Sequence, residues 1–313
     1  MSDTTGGELP AGDDFPAGGE LPAGGEFPAG DDFLSGDSGN VVGARGVLAR
    51  RVGDLVLDLG LRLARVPDRL DDLAGRLPPR RVLVLSIYRP TSAEIVTAAG
   101  ELVDSRHEVA LALGTTGAAH TELAADTVAS GLRGGKFQNL NAVFQAAGAP
   151  REHDWIVVVD DDVRLPRRFL DRLIALCEHF DLALAQPAQT LASHAAWGIT
   201  RRRPRSVLRE TRFVEIGPVT VFRRDAATEL IPFPDLRFGW GLDAHWAALA
   251  CRRRWRLGIA DALPVRHESG RIAATYAADQ AIAEGRRFLA DRPYLPAGAA
   301  RETLVRHRRI VVR

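Results

Sequence analysis

Hydrophobic residues fall along this chain in three rhythms. The first is an unbroken run: Trp155-Ile-Val-Val-Val159 leads directly into Asp160-Asp161-Asp162. A run so short and so rich in β-branched residues predicts a strand buried on both faces, with the carboxylates at its carboxyl end. Arg81-Val-Leu-Val-Leu-Ser-Ile-Tyr88 and His107-Glu-Val-Ala-Leu-Ala-Leu113 have the same character. Further strands are predicted at 181–186, at 212–222 (straight or bent as a hairpin) and at 255–260, the last ending in a loop over 264–270. The second rhythm is helical. Leu48, Val52, Leu55, Leu59 and Leu63 recur at steps of three and four, which predicts an amphipathic helix within 46–76. Pro67 interrupts it, and a second short helix is predicted from Asp68 to Leu77. Other helices are predicted over 92–103, 119–130, 137–147, 166–179, 225–230, 242–252 and 272–290.

Strand, helix and strand joined by short loops spell right-handed parallel βαβ units. The fold class is therefore α/β, a Rossmann-like open, mostly parallel sheet with helices on both faces. The leucine-striped helix is expected to pack on this domain or on a twin subunit; the alternative is a basic amphipathic segment lying on a membrane.

The third rhythm has period six. Residues 8–37 read ELPAGD, DFPAGG, ELPAGG, EFPAGD and DFLSGD. Gly and Pro in each full repeat oppose helix and sheet, and the unit is too short and polar for a packed solenoid. The expectation is a disordered, solvated acidic tail over 1–42, then a helical segment over 43–79, then one domain over 80–313.

Charge sharpens this division. The chain of 313 residues is near neutral at +1, yet residues 1–40 hold nine acids and no base. The remainder sets 41 bases against 31 acids, so the body is cationic and suited to an anionic ligand. Nucleic acid is not expected as a partner, because no helix-turn-helix, zinc-finger or RNP-like pattern is present. Cys177 and Cys251 fall in apolar, helix-like surroundings and are expected to be buried free thiols. With no signal peptide and no apolar stretch of about 18 residues, the expected location is the cytoplasm, or the periphery of a membrane. All the basic residues but one are Arg; the exception is Lys136, which hints at a position needing a compact ammonium.

Among candidate motifs, Gly135-Lys136 fails as a P-loop, since Ser130 and Phe137 stand where Gly and Ser or Thr are required. The Asp triplet is more informative. Residues two apart on an extended chain face the same way, so Asp160 and Asp162 can share a target while Asp161 faces elsewhere. Two close carboxylates call for a cation between them, and a divalent ion carrying a substrate's phosphates meets that need.

The triplet belongs to an ordered set: Ser86 to Pro90, Lys136-x-x-Asn139-x-Asn141, Asp160-Asp161-Asp162, Gly217-Pro-Val-Thr-Val-Phe-Arg-Arg224, Gly239-Trp-Gly-x-Asp243, and His267. Over roughly residues 80–270 this set resembles the GT-A glycosyltransferases, specifically the family-2-like nucleotide-diphospho-sugar transferases. The resemblance implies a nucleotide-binding half at 80–190, an acceptor half at 191–290 and a basic tail at 291–313. It implies an enzyme moving a sugar from a nucleotide-diphosphate donor to a glycan, lipid or small-molecule acceptor with inversion. Mn2+ or Mg2+ would be the cofactor, held by Asp160, Asp162 and His267. Asp243 would be the base; Ser86, Tyr88, Arg89, Thr115, Lys136, Asn139 and Asp161 would bind the donor; Glu215 and Trp240 would meet the acceptor. The chain departs from the family's pattern in having Leu242 before Asp243 and Tyr88 before Arg89, and in lacking an acid in Gly114-Thr-Thr-Gly117. Alternatives are a sugar-nucleotide nucleotidyltransferase, which should carry a glycine-rich basic loop after the first strand, and a non-catalytic binding module of the same fold.

Overall fold

In the computed structural model, residues 33–34, 44–148, 152–267 and 278–311 are described. Two helices lead, α1 (Ala44–Leu63) and α2 (Val66–Arg76). The first half of the domain follows as β1 (Arg81–Tyr88), α3 (Glu94–Val103), β2 (Glu108–Thr115), β3 (Thr127–Ala129), α4 (Lys136–Ala146), β4 (Trp155–Asp160), β5 (Val163–Arg164), α5 (Phe169–His179) and β6 (Leu182–Gln189). The second half comprises β7 (Leu208–Thr211), β8 (Val219–Arg223), α6 (Arg224–Leu230), α7 (Leu242–Arg253), β9 (Arg256–His267), α8 (Ala278–Leu289), α9 (Ala297–Ala300) and β10 (Thr303–His307).

The main path of the sheet has the order β10-β7-β9-β6-β8-β4-β1-β2-β3, and β5 pairs separately with β9. Of these nine strands only β7 and β8 run against the rest. The expected mostly parallel α/β sheet is thus present.

Period two decides the layering. Leu83 and Leu85 of β1 and Ile156 and Val158 of β4 share one core with Phe137 and Phe144 of α4, Trp246 of α7 and Phe288 of α8. Val82 and Val84, with Trp155, Val157 and Val159, share the other with Leu70 of α2 and Phe169, Leu173 and Ile174 of α5. Helices therefore cover both faces. From β1 the chain winds outward to β2 and β3 on one side and reaches β4 on the other. Open α/β sheets bind ligands at the carboxyl ends of strands flanking such a reversal.

One buried ion pair ties the second half together. Arg209 of β7 grips Asp261 of β9 through two bonds, Nε–Oδ2 at 2.8 Å and Nη2–Oδ1 at 3.0 Å. Both side chains are buried, so losing either partner strands a charge. Asp261→Ala is expected to cost about 3–5 kcal/mol, measured as a lower urea midpoint at unchanged slope.

Several expectations need correction. The helix expected over 119–130 is a single 3-10 turn, Thr121–Leu123, followed by β3. Thr127-Val-Ala129 extends the sheet beyond β2, and that pairing outweighs the helix propensity of the alanines around it. The strand expected over 212–222 is replaced by β7 and β8, with 212–218 as an irregular crossing; the two strands pair with different neighbours. Residues 264–267 are not a loop. They prolong β9, where Arg266 and His267 pair with β5. The basic tail supplies β10, which pairs with β7. Cys177 is buried as expected, but Cys251 is exposed on α7. Residues 272–277 of the last expected helix lie outside the described residues, as does the acidic tail except Phe33 and Leu34. Phe33 is buried rather than solvated, in the same apolar cluster as Leu242 and Leu289.

Helix α1 packs on the domain as expected, but not through its leucine stripe. Asp54 accepts hydrogen bonds from the backbone N–H groups of Leu191 (2.9 Å) and Ala192 (3.1 Å), and Arg202 bridges Asp54 and Asp58. The stripe itself faces outward.

Candidate active site

A cavity of about 680 Å3 opens at the carboxyl end of β4. Asp160, Lys136, Glu215, Trp240, Asp243 and His267 all line it. Each arrives from a different element, and local sequence explains how.

Asp160 is the last residue of β4, held there by its N–H donating to the Pro218 carbonyl at 2.9 Å. Asp162 and His267 meet because β5 follows the triplet immediately and Val163 registers with His267. His267 Nε2 lies 3.0 Å from Asp162 Oδ1, and its own N–H donates to Ser193 Oγ. Asp160, Asp162 and His267 each offer a ligand atom, and those atoms lie within 4.8 Å of one another. Two carboxylate oxygens and an imidazole nitrogen form a donor set that suits Mn2+, and with added water Mg2+.

Asp161 points elsewhere, as the alternation predicts. Its carboxylate accepts from the Arg89 backbone N–H at 2.8 Å and from the Arg89 guanidinium at 2.9 and 3.0 Å. That contact holds the Arg89 pKa above its ordinary value. It also ties the carboxyl end of β1 to that of β4.

Lys136 begins α4. Its ammonium lies 2.6 Å from Asp160 Oδ1 and donates to the Ile216 carbonyl at 2.9 Å. Gly135 caps this helix without a side chain of necessity: a Cβ there would stand 1.7 Å from the Arg237 carbonyl oxygen. Gly217 is equally confined, since a Cβ would stand 2.9 Å from both Lys136 Nζ and Asp160 Oδ2.

Asp243 sits in the first turn of α7, whose N-cap is Gly241 at φ +86°. The cap position is thus taken by a residue that adopts the left-handed region without strain, and Asp243 is one step inside the helix. Its Oδ1 accepts from the Ala244 N–H at 2.9 Å. Burial nevertheless dominates and pushes its pKa up to about 7 against these backbone bonds. Glu215 arrives on the irregular crossing between β7 and β8. Gln189 Nε2 donates to its Oε2 at 3.1 Å. Burial first, then the charge of Asp243, push its pKa up to about 8, against His267, Thr200 and Lys136. Burial pulls the His267 imidazole down, but its bond to Asp162 and the charges of Asp162, Asp160 and Glu215 outweigh that and leave it raised.

The other expected donor-binding residues lie outside the cavity lining. Ser86 is buried and donates to the Val159 carbonyl at 2.7 Å. Tyr88 is buried and shares a hydrogen bond with Thr127. Thr115 is buried beside the turn at Gly117, and Asn139 braces the loop through Gly134. Sequence reasoning passed over Gln189, His194, Trp197, Arg237, Phe238 and Ile282, all of which line the cavity, as do Phe33 and Leu34. Trp197 alone carried a signal, as a large aromatic in a stretch of small residues.

No protein-family model matches the chain, and no curated protein sequence matches it. Solved structures similar to it include the following two. One is S. aureus TarS, residues 1–349, in complex with UDP-GlcNAc, at 12% identity and a TM-score of 0.47. That likeness covers 67% of this chain and 65% of TarS 1–349, so the chain spans just under two thirds of that structure. The other is the mannosyltransferase PcManGT from Pyrobaculum calidifontis in complex with GDP-Man and Mn2+, at 14% identity and a TM-score of 0.47, over 80% of this chain and 77% of that one. Both likenesses are slight, so the chemistry has to be read from the side chains.

What those side chains can do follows from their placement. One end of the cavity presents a cation-binding set beside an ammonium. The same cavity holds two buried carboxyl groups whose pKa values lie near neutrality, where a carboxyl can exchange protons with a substrate.

Proposed function

We propose that the chain is a metal-dependent glycosyltransferase of GT-A type, transferring a sugar from a nucleotide-diphosphate donor to an acceptor hydroxyl with inversion. The observation that carries this reading is the shared cavity: Asp160 and His267, which with the adjoining Asp162 form the ligand set, line one space with the buried Asp243 carboxyl.

A Mn2+ or Mg2+ ion bound by the three ligands would neutralise the departing diphosphate as a Lewis acid. Lys136, already beside Asp160, adds a second positive charge where the diphosphate would lie. Arg89, oriented by Asp161, offers an exposed guanidinium at the end of β1 for the nucleotide. Asp243 accepts the proton of the acceptor hydroxyl as that oxygen attacks. Direct attack inverts the anomeric carbon. Glu215, protonated at neutral pH, donates to a sugar hydroxyl, and Trp240 lends an aromatic wall.

A thermal-shift panel of nucleotide sugars with and without Mn2+ tests the reading. One donor should stabilise the protein only with the metal, by about 2.7 kcal/mol at a hundredfold excess over Kd. If no nucleotide sugar shifts the transition with Mn2+ present, the reading fails. Lys136→Arg should raise the donor KM about tenfold to a hundredfold with a smaller change in kcat, because the space between Asp160, Ile216 and Gly217 admits an ammonium but not a planar fork.

A further inference from the structure

Helix α1 presents Leu48, Val52, Leu55, Val56, Leu59 and Leu63 outward, each 52–77% exposed. Their spacing puts them on one arc of about 100°. Among the described residues nothing covers this stripe. The exposed charges beside it are mainly basic: Arg45, Arg51 and Arg62 on the helix and Arg69 beyond it, while Arg65 just past the helix end is paired with Asp68. Both acids of the helix are paired with Arg202, Asp54 buried and Asp58 half-exposed. The helix therefore lies on the domain by its acidic side and offers an apolar stripe edged with arginine.

We propose that α1 is an interfacial anchor that seats this protein on an anionic lipid surface. The stripe would enter the boundary between head groups and acyl chains, and the arginines would meet lipid phosphates. Charge complementarity selects this occupant over a second copy. Two stripes packed face to face would bring Arg45, Arg51 and Arg62 up against their counterparts, and the one half-exposed acid of the helix, Asp58, is already engaged by Arg202. Insertion across the bilayer is not involved, since no helix among the described residues is long and apolar enough to cross a membrane.

The anchor's position gives it a functional consequence. Asp54 is fixed to Leu191 and Ala192, and the same loop continues into His194, Ala196 and Trp197, which line the cavity. Ser193 of this loop also accepts the N–H of His267. A single loop thus separates the anchor from the cavity. Resting on the proposed transferase reading, the anchor would hold the donor cavity near the lipid surface.

Co-sedimentation of the full chain with vesicles tests the anchor independently of catalysis. Binding is expected to vesicles of equimolar phosphatidylcholine and phosphatidylglycerol, weakened by salt, and far less to phosphatidylcholine alone. The double variant Leu55→Asp/Leu59→Asp should weaken binding about a hundredfold, and Arg51→Gln/Arg62→Gln about tenfold or more. Both should leave the circular dichroism and melting transition unchanged, because these side chains touch solvent. Absence of wild-type binding to the anionic vesicles, or equal binding by Leu55→Asp/Leu59→Asp, overturns the anchor. So does a wild-type dimer in sedimentation that this double variant dissolves, which would make a second copy the occupant. Vesicle binding together with no donor shift in the Mn2+ panel would leave the anchor standing and remove the transferase.

Discussion

Asp162→Asn is expected to lower sugar transfer by about 10³-fold or more, the several kcal/mol that a Lewis acid contributes at about 1.4 kcal/mol per decade. The substitution preserves shape, and the amide oxygen can still face His267. What it removes is one of two negative charges that make the set bind a divalent ion. Asp160 cannot compensate, because it already faces the Lys136 ammonium at 2.6 Å. Mn2+ binding by calorimetry should fall with activity, and residual turnover should no longer respond to EDTA. Asp161→Asn is the discriminating partner. Its carboxylate holds Arg89 rather than joining the ligand set, so it should weaken donor binding while leaving Mn2+ affinity near that of the parent. If Asp162→Asn kept turnover within a few-fold and the same EDTA sensitivity, the cation would have to lie elsewhere.

That the three ligands converge was visible in the chain only through the resemblance of an ordered motif series. The two strands at the centre were plain from the residues alone. β1 and the apolar part of β4 are runs apolar on both parities, which only a strand covered on both faces can satisfy. The carboxylates at the end of β4 followed, and so did the divergence of Asp161 from its neighbours. His267 is different in kind. It stands beside Asp162 because β9 continues past its apolar stretch to pair with the two residues of β5, and so short a ladder is fixed by its partner rather than by its own sequence. β3 and β10 escaped notice for the same reason. The end of β1 at Ser86 and Tyr88 was located correctly, whereas β2 runs two residues past the expected Leu113 to Thr115; all three side chains turn inward to hydrogen bonds of their own. The leucines of α1 misled in the opposite direction. Periodicity reports that a helix has an apolar face, and says nothing of what the face meets.

Asp243→Asn is expected to reduce transfer about 10²–10⁴-fold while sparing the donor shift with Mn2+, since Asp243 is not in the ligand set. The pH profile identifies the role. Asp243 can accept a proton only when ionised, and burial holds its pKa at about 7. Turnover should therefore fall about tenfold per unit as the pH drops below that value, and the variant's residual rate should lose this limb. Stability should move the opposite way. In the folded protein Asp243 and Glu215 keep protons up to about 7 and about 8, whereas their ordinary values of 3.8 and 4.5 apply when the chain is open. Between those limits the native state binds more protons than the unfolded one, so stability is greatest on the acid side and declines as the pH rises, by about 1.4 kcal/mol per unit for each group. An asparagine carries no such penalty. Urea unfolding should find the advantage of Asp243→Asn over the parent growing by about 1.4 kcal/mol per unit, so that it is clearly larger at about pH 8 than at about pH 5. A base that must be buried to be effective is thus held against the stability of the fold. A variant that lost activity but destabilised the protein equally at both pH values would assign Asp243 to the structure of α7 instead.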